Sequence, residues 1–146
     1  MPASVTSNNK ITLFLVVQFC LVLIAISAVV FRPDEWNAAR MVGLCIAVPA
    51  AFLFFIARWQ LGHSFSITPQ ARELVTRGLY SKIRNPIYVF SALVLVGVLI
   101  ALQYRYALLI PVVLIPIQIL RARKEAQVLE ARFGEDYRKY KAGTWF

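Results

Sequence analysis

The chain has 146 residues, a formal net charge of +9, and a composition that is 60% hydrophobic and only 16% charged. Soluble domains are about 45–50% apolar, so this composition indicates an integral membrane protein. The apolar residues form continuous blocks rather than alternating with polar ones, which argues against a lipid-exposed β-barrel and favours an all-α chain. Lysine and arginine flank the blocks, where they contact lipid headgroups, so the positive charge does not indicate nucleic-acid binding.

Four apolar blocks follow one another, and we expect each to cross the membrane as a helix. They cover residues 11–31, 41–57, 86–102 and 106–120. The first is long enough, at about 1.5 Å per residue, to span a bilayer core, and it is too long for the apolar part of a signal peptide. The last two predict a short membrane hairpin, shaped by Pro111 and Pro116.

Basic residues predict the orientation of these crossings. They are concentrated between Arg58 and Asn85 and again after Leu120. Such segments favour the cytoplasmic side of a membrane. With four crossings, both chain termini are then expected in the cytoplasm, at the inner membrane if the source is bacterial.

The segment after the fourth block predicts a further, cytoplasmic helix. It is expected over residues 120–133, ended by Gly134 in the C′ position and followed by a short second helical turn. Glu125 shares one face of this helix with Val128 and Leu129, because the three recur at helical spacing. That face places a carboxylate beside apolar side chains at the membrane surface.

Several catalytic patterns do not occur in the sequence. It has no Gly-rich phosphate loop, no paired His and Cys spacing for a metal ion, and no G-x-S-x-G nucleophile elbow. No Asp or Glu lies inside the four apolar blocks, which argues against a proton-coupled transporter. Cys20 and Cys45 fall inside apolar blocks and are expected to be buried packing residues rather than a disulfide or a metal pair.

Two polar segments flank the predicted hairpin, and both are expected on the cytoplasmic side, where they can form one pocket. They read ELVTRGLYSKIRNPIY, residues 73–88, and EAQVLEARFGEDYRKY, residues 125–140. They resemble the signatures hLVTxGxYxxxRHPxY and ExxxLxxxFGxxYxxY of the integral-membrane S-adenosylmethionine methyltransferases, which include isoprenylcysteine carboxyl methyltransferase and the phospholipid methyltransferases. The resemblance covers about Arg58 to Tyr140 and keeps the family's order of signature, apolar hairpin and Glu-containing helix.

The resemblance implies a cytoplasmic pocket for S-adenosylmethionine, with a lipophilic acceptor entering from the bilayer. No metal ion is implied. Arg84, Asn85 and Tyr88 would be catalytic. The residues that it assigns to cofactor binding are Leu74, Val75, Gly78, Tyr80, Arg84, Asn85, Pro86, Tyr88 and Glu125. A carboxylate can bind ribose hydroxyls or an ammonium group, and an arginine can pair with a carboxylate.

Two positions depart from the family pattern. Asn85 stands where the signature has histidine, and Ala126 stands where relatives usually carry a second glutamate. Asparagine cannot titrate and therefore cannot act as a general base. An acceptor that is already ionised suits it best, which favours a carboxylate of isoprenylcysteine type. A phospholipid amine, a lipophilic thiol, and a non-catalytic membrane scaffold of the same fold are the alternatives.

We expect one membrane-embedded domain over residues 1–146, in which 11–57 form two accessory helices and 58–146 form the cofactor-binding and catalytic part. The expected partners are membrane lipid and a lipophilic or prenylated small molecule, without nucleic acid or an obligatory protein partner. Simpler structural roles compete with some assignments. Glu125 can pair with Arg121 one turn earlier, and Tyr80 and Tyr88 can be interfacial aromatics. His63 is expected to be structural or bound to headgroups.

Overall fold

The structure, a computed structural model, describes residues 3–61 and 74–146, with side chains from residue 13 onward apart from 14 and 15. Over these residues the chain is all-α, as predicted. The described residues form five α-helices, namely α1 (Ala3–Val30), α2 (Ala38–Leu61), α3 (Pro86–Leu102), α4 (Leu109–Phe133) and α5 (Glu135–Ala142). Short 3-10 turns at Gly78–Ser81 and Arg105–Leu108 lead towards α3 and α4. His63 lies outside the described residues.

Two of the described helices are long and apolar enough to cross a membrane. They cover Ala38–Leu61 and Arg105–Phe133, the second including the 3-10 turn ahead of α4. Val16–Val30, the part of α1 whose side chains are described without a gap, and Pro86–Leu102 are shorter apolar stretches. Two of the four predicted crossings therefore correspond to full-length candidates, and the number of crossings stays a prediction.

α2 and α3 run antiparallel and pack so closely that their backbones are in contact. A Cβ atom on Gly43 would lie 2.5 Å from both the Gly97 oxygen and the Ala101 nitrogen. A Cβ atom on Gly97 would lie 2.7 Å from the Ala47 nitrogen. Small residues spaced four apart allow helices to approach in this way. This contact places the C-terminal end of α2 beside the N-terminal end of α3.

The apolar core lies between α1, α2 and α3. Its buried members are Val29, Ala47, Ala50, Ala51, Val94, Val98 and Ala101. Phe19 of α1 packs edge-on against Phe55 of α2, with their ring centroids 4.8 Å apart. The prevalence of alanine and valine follows from the short distance between α2 and α3, which leaves little room for larger side chains.

α4 is attached through α3, to which it runs antiparallel. Gln118 Nε2 donates to Ser91 Oγ over 3.4 Å. Most of the apolar side chains of α4 are exposed, including Val112, Val113 and Ile117. On a helix long enough to span a bilayer, such a face is suited to contact with lipid tails.

Arg40 fixes the connection between α1 and α2, at the end of α2 remote from residues 74–88. Its side chain is only 2% exposed. The guanidinium donates to the carbonyl oxygens of Val29, over 2.6 Å, and Val30, over 2.9 Å, which end α1. The last carbonyls of a helix have no partner within the helix, so this contact satisfies them. The guanidinium also lies 4.3 Å from the centre of the Trp36 ring.

Three sequence-based expectations are wrong in detail. The fourth block and the tail helix form the single helix α4, because the polar residues after Leu120 are good helix formers and nothing there stops a helix. α2 continues to Leu61, so Arg58 lies in a helix and not in a connection. Cys20 and Cys45 are exposed, because a helix that is apolar all round does not reveal which face is inside.

Candidate active site

The segment 74–88, the signature segment, turns tightly against the end of α2. Gly78 has a φ of +61°, which glycine adopts more readily than other residues. The Leu79 backbone N–H donates to Gln60 Oε1 over 2.7 Å. A Cβ atom on Gly78 would collide with the Gln60 side chain. Glycine therefore suits the turn, and it leaves room for the Gln60 side chain that bonds to Leu79.

Replacing Gly78 by alanine should destabilise the protein by about 1–2 kcal/mol from the positive φ alone. The displaced Gln60 side chain should add to this loss, because its hydrogen bond to Leu79 must break or lengthen. Thermal unfolding in detergent measures the effect. The same substitution in a Gln60→Ala background is the control, because the collision is then removed and only the positive φ is strained. Equal losses in the two backgrounds would contradict a role for Gln60.

The last residues of the chain pair with the second half of the signature segment. The Trp145 N–H donates to the Lys82 oxygen over 2.7 Å, and the Arg84 N–H donates to the Trp145 oxygen over 2.9 Å. The Asn85 N–H donates to the Phe146 oxygen, also over 2.9 Å. These bonds form a short parallel pairing that holds the backbone of Arg84 and Asn85 in place.

A side-chain contact joins the same two parts of the chain. Tyr140 Oη, from α5, donates to the backbone oxygen of Tyr80 over 2.7 Å. Burial raises the pKa of Tyr140 to about 12, so its hydroxyl remains a donor at neutral pH. The two polar segments identified in the sequence therefore lie together, at one end of the helix bundle.

Replacing Trp145 by proline should speed hydrogen–deuterium exchange of the amides in residues 82–85, because proline removes the N–H that bonds to Lys82. One lost hydrogen bond corresponds to about 1 kcal/mol, or roughly a fivefold change in the opening equilibrium. Trp145→Ala keeps this N–H and removes a ring that is 66% exposed, so it should change exchange little. Similar exchange rates in the two variants would show that the pairing does not order the signature segment.

Polar side chains from four elements converge beside this pairing. Tyr88 of α3 donates its hydroxyl to Glu125 Oε2 of α4 over 3.2 Å. Arg58 of α2 is buried and interacts electrostatically with Tyr80 and Tyr88. Burial raises the pKa of Tyr80, and the Glu125 carboxylate raises it further. We refer to Arg58, Tyr80, Tyr88 and Glu125 as the polar cluster.

Glu125 was expected either to bind the cofactor or to pair with Arg121 one turn earlier in the same helix. Glu125 bonds to Tyr88 on the neighbouring helix, and Arg121 acts on it through charge. A carboxylate held by a tyrosine of another helix is fixed in direction, unlike a carboxylate in a flexible surface pair. The position of Glu125 is therefore set by the packing of α3 against α4.

The other predicted site residues lie around the polar cluster. Pro86 is buried and begins α3, where a proline is well accommodated. Asn85 takes the N-cap position without a side-chain cap bond. Arg84 is half-buried, and its Nε atom is buried without a hydrogen-bond partner among the described residues. Leu74 and Val75 are half-buried and precede the turn at Gly78, and their assignment to cofactor binding stays a prediction.

A comparison with known families identifies the chain. The family model described as phospholipid methyltransferase matches residues 38–136, from the first residue of α2 into α5. The chain belongs to the phospholipid methyltransferase family. The resemblance to membrane methyltransferases that the two signatures indicated is thereby confirmed. No match was found among curated proteins or among solved structures.

The region shared with the phospholipid methyltransferase family includes residues that sequence reasoning missed. Arg58 and Gln60 both lie inside it, near the end of α2. In the sequence Arg58 adjoins an apolar block, where an arginine is usually a headgroup contact, so its burial could not be foreseen. Gln60 carried no signal either. Tyr140 and Trp145, which hold the signature segment, lie beyond the matched residues.

Proposed function

We propose that this protein is an integral-membrane methyltransferase that transfers a methyl group from S-adenosylmethionine to a lipophilic acceptor. The observation that carries the proposal is the polar cluster, in which four elements bring Arg58, Tyr80, Tyr88 and Glu125 together. Ionisable side chains in membrane helices are costly and usually functional. Membership of the phospholipid methyltransferase family supports the type of reaction.

The side chains present fit the chemistry of this cofactor. Glu125 can accept hydrogen bonds from ribose hydroxyls or from the cofactor's ammonium group, and Tyr88 orients it. Arg84 Nε and Tyr137 Oη are buried donors without a hydrogen-bond partner among the described residues, so no described protein acceptor uses them. When bound, S-adenosylmethionine supplies a methyl group that its positive sulfur has already activated.

The protein's part in the reaction is then to align the acceptor with that methyl group and to exclude water. Alignment of two reactants can contribute roughly 7–11 kcal/mol in favourable cases. No covalent intermediate on the protein is required. For an acceptor that is already ionised, no general base is required either. Asn85 cannot take a proton, and its backbone is held in place by the Phe146 oxygen, so it suits a reaction without a base.

We infer that the acceptor is a carboxylate of isoprenylcysteine type. Arg58 of the polar cluster carries a positive charge beside Tyr80 and Tyr88, which favours an anionic acceptor. A carboxylate is already ionised at neutral pH and needs no general base. The apolar, exposed face of α4 gives the attached hydrocarbon chain a path from the bilayer.

A phospholipid amine is the second candidate, and the description of the matching family favours it. Such an amine is an ammonium ion at neutral pH and must lose a proton before it can attack. Glu125 is the carboxylate of the polar cluster and could accept that proton. The two candidates therefore assign different roles to the same residue.

For the orientation, we propose four crossings with both termini in the cytoplasm. The exposed basic residues of α4 and α5, among them Arg123, Lys124 and Lys139, support a cytoplasmic position for this end of the bundle. The signature segment, which pairs with the C-terminal residues, would lie on the same side.

A labelled-methyl transfer assay tests both the reaction and the acceptor. Purified protein is incubated with S-adenosylmethionine carrying a labelled methyl group and with either a prenylated cysteine or a phosphatidylethanolamine. Alkali releases labelled methanol from a methyl ester but not from a methylated amine, so the product identifies the acceptor. Arg84→Ala should lower turnover. Transfer to neither acceptor, together with no calorimetric binding of millimolar cofactor, would favour the scaffold alternative.

A further inference from the structure

Tyr137 has a buried hydroxyl group that takes part in no hydrogen bond within the described part of the chain. Its side chain has 0% exposure, and its Oη atom has no hydrogen-bond partner among the described residues. Buried polar groups are normally paired, because burial without a partner costs free energy. A phenylalanine would fill the same space without that cost, so the hydroxyl requires an explanation.

Arg84 presents a second buried donor, and its charge acts on Tyr137. Its Nε atom is also buried and without a partner in the described part of the chain. The Arg84 guanidinium interacts electrostatically with Tyr137. Burial raises the pKa of Tyr137 and the guanidinium partly offsets this, so the phenol remains a neutral donor at physiological pH.

Both donors are held by neighbouring contacts. The Arg84 backbone is fixed by its bond to the Trp145 oxygen, 2.9 Å long. The Tyr137 ring lies 6.2 Å from the ring of Tyr140, whose hydroxyl bonds to the backbone of Tyr80. The two donors therefore come from α5 and the signature segment, which are tied together at several points.

We propose that Tyr137 Oη and Arg84 Nε together bind the carboxylate of the cofactor's amino-acid moiety. One positive charge and two N–H or O–H donors suit a carboxylate, which accepts through both of its oxygens. Glu125 interacts electrostatically with Tyr137 as well, which places the opposite charge nearby for the ammonium group of the same moiety. This inference rests on the proposed function and adds Tyr137 to its binding residues.

Calorimetry with two nucleosides tests the proposal on the full chain in detergent. S-adenosylhomocysteine carries the amino-acid moiety, whereas 5′-methylthioadenosine has the same adenosine and sulfur but lacks it. Tyr137→Phe should weaken binding of S-adenosylhomocysteine about tenfold, the loss expected for one hydrogen bond to a charged group. Binding of methylthioadenosine should be unchanged, which also shows that the variant is folded.

Two further variants sharpen the result. Arg84→Lys keeps the charge but removes the Nε donor, and it should show the same selective loss. Tyr106→Phe removes a hydroxyl from a ring that is 78% exposed, ahead of α4, and should alter neither affinity. An equal loss for both nucleosides, or no loss in Tyr137→Phe, would overturn the carboxylate assignment while leaving the methyltransferase proposal intact. If the unmodified protein bound neither nucleoside, both proposals would be refuted.

Discussion

Replacing Glu125 by glutamine should weaken S-adenosylmethionine binding by about ten- to a hundredfold. The substitution keeps the size of the side chain and its ability to bond to Tyr88, but it removes the negative charge. Hydrogen bonds to charged groups contribute about 1.5–3 kcal/mol, and the half-buried position of Glu125 reduces compensation by solvent. Titration calorimetry of the detergent-purified variant measures the change.

Glu135→Gln is the control for this experiment. Glu135 begins α5, its side chain is 73% exposed, and it pairs with Arg138 over 2.7 Å. An exposed pair of this kind contributes little, so the control should bind the cofactor normally. Cofactor affinity that is the same in Glu125→Gln as in the unmodified protein would remove Glu125 from the site and weaken the proposed function.

Replacing Gly43 by valine should destabilise the protein by about 3 kcal/mol. A Cβ atom at this position would lie 2.5 Å from backbone atoms of α3, at Gly97 and Ala101. Backbone atoms cannot rotate away as a flexible side chain can, so the two helices must separate. A lower temperature of thermal unfolding in detergent is the expected observation.

The same substitution should also impair the site at the far end of α2. Arg58 and Gln60 reach Tyr88 and Leu79 only while α2 and α3 keep their spacing. Gly143→Val is the matched control, because the nearest atom to its Cβ position is 3.8 Å away. Equal unfolding temperatures for Gly43→Val and the control would show that the close helix contact contributes no stability.

Helix boundaries could be predicted where the sequence carries a local stop signal. The third apolar block, 86–102, coincides with α3, because Pro86 is suited to a first helical turn and a polar Gln103 follows, at a positive φ. The end of α2 and the continuity of α4 could not be predicted in this way. There the side chains change from apolar to polar, but a change of polarity does not end a helix.

The candidate site was partly predictable for a similar reason. Tyr80, Tyr88 and Glu125 belong to recognisable motifs, and the structure brings them together as the motifs imply. Arg58 and Gln60 belong to α2, and their proximity to the motifs depends on how closely α2 and α3 pack. The pairing of the C-terminal residues with Arg84 and Asn85 uses backbone groups, which leave no trace in the pattern of side chains.

That pairing has a practical consequence for purification. Since Trp145 and Phe146 supply backbone oxygens to Arg84 and Asn85, a purification tag fused directly after Phe146 would be anchored within a few ångströms of the signature segment. A tag placed ahead of α1 leaves these bonds untouched. Measurements of cofactor affinity should therefore use protein tagged at the N-terminus.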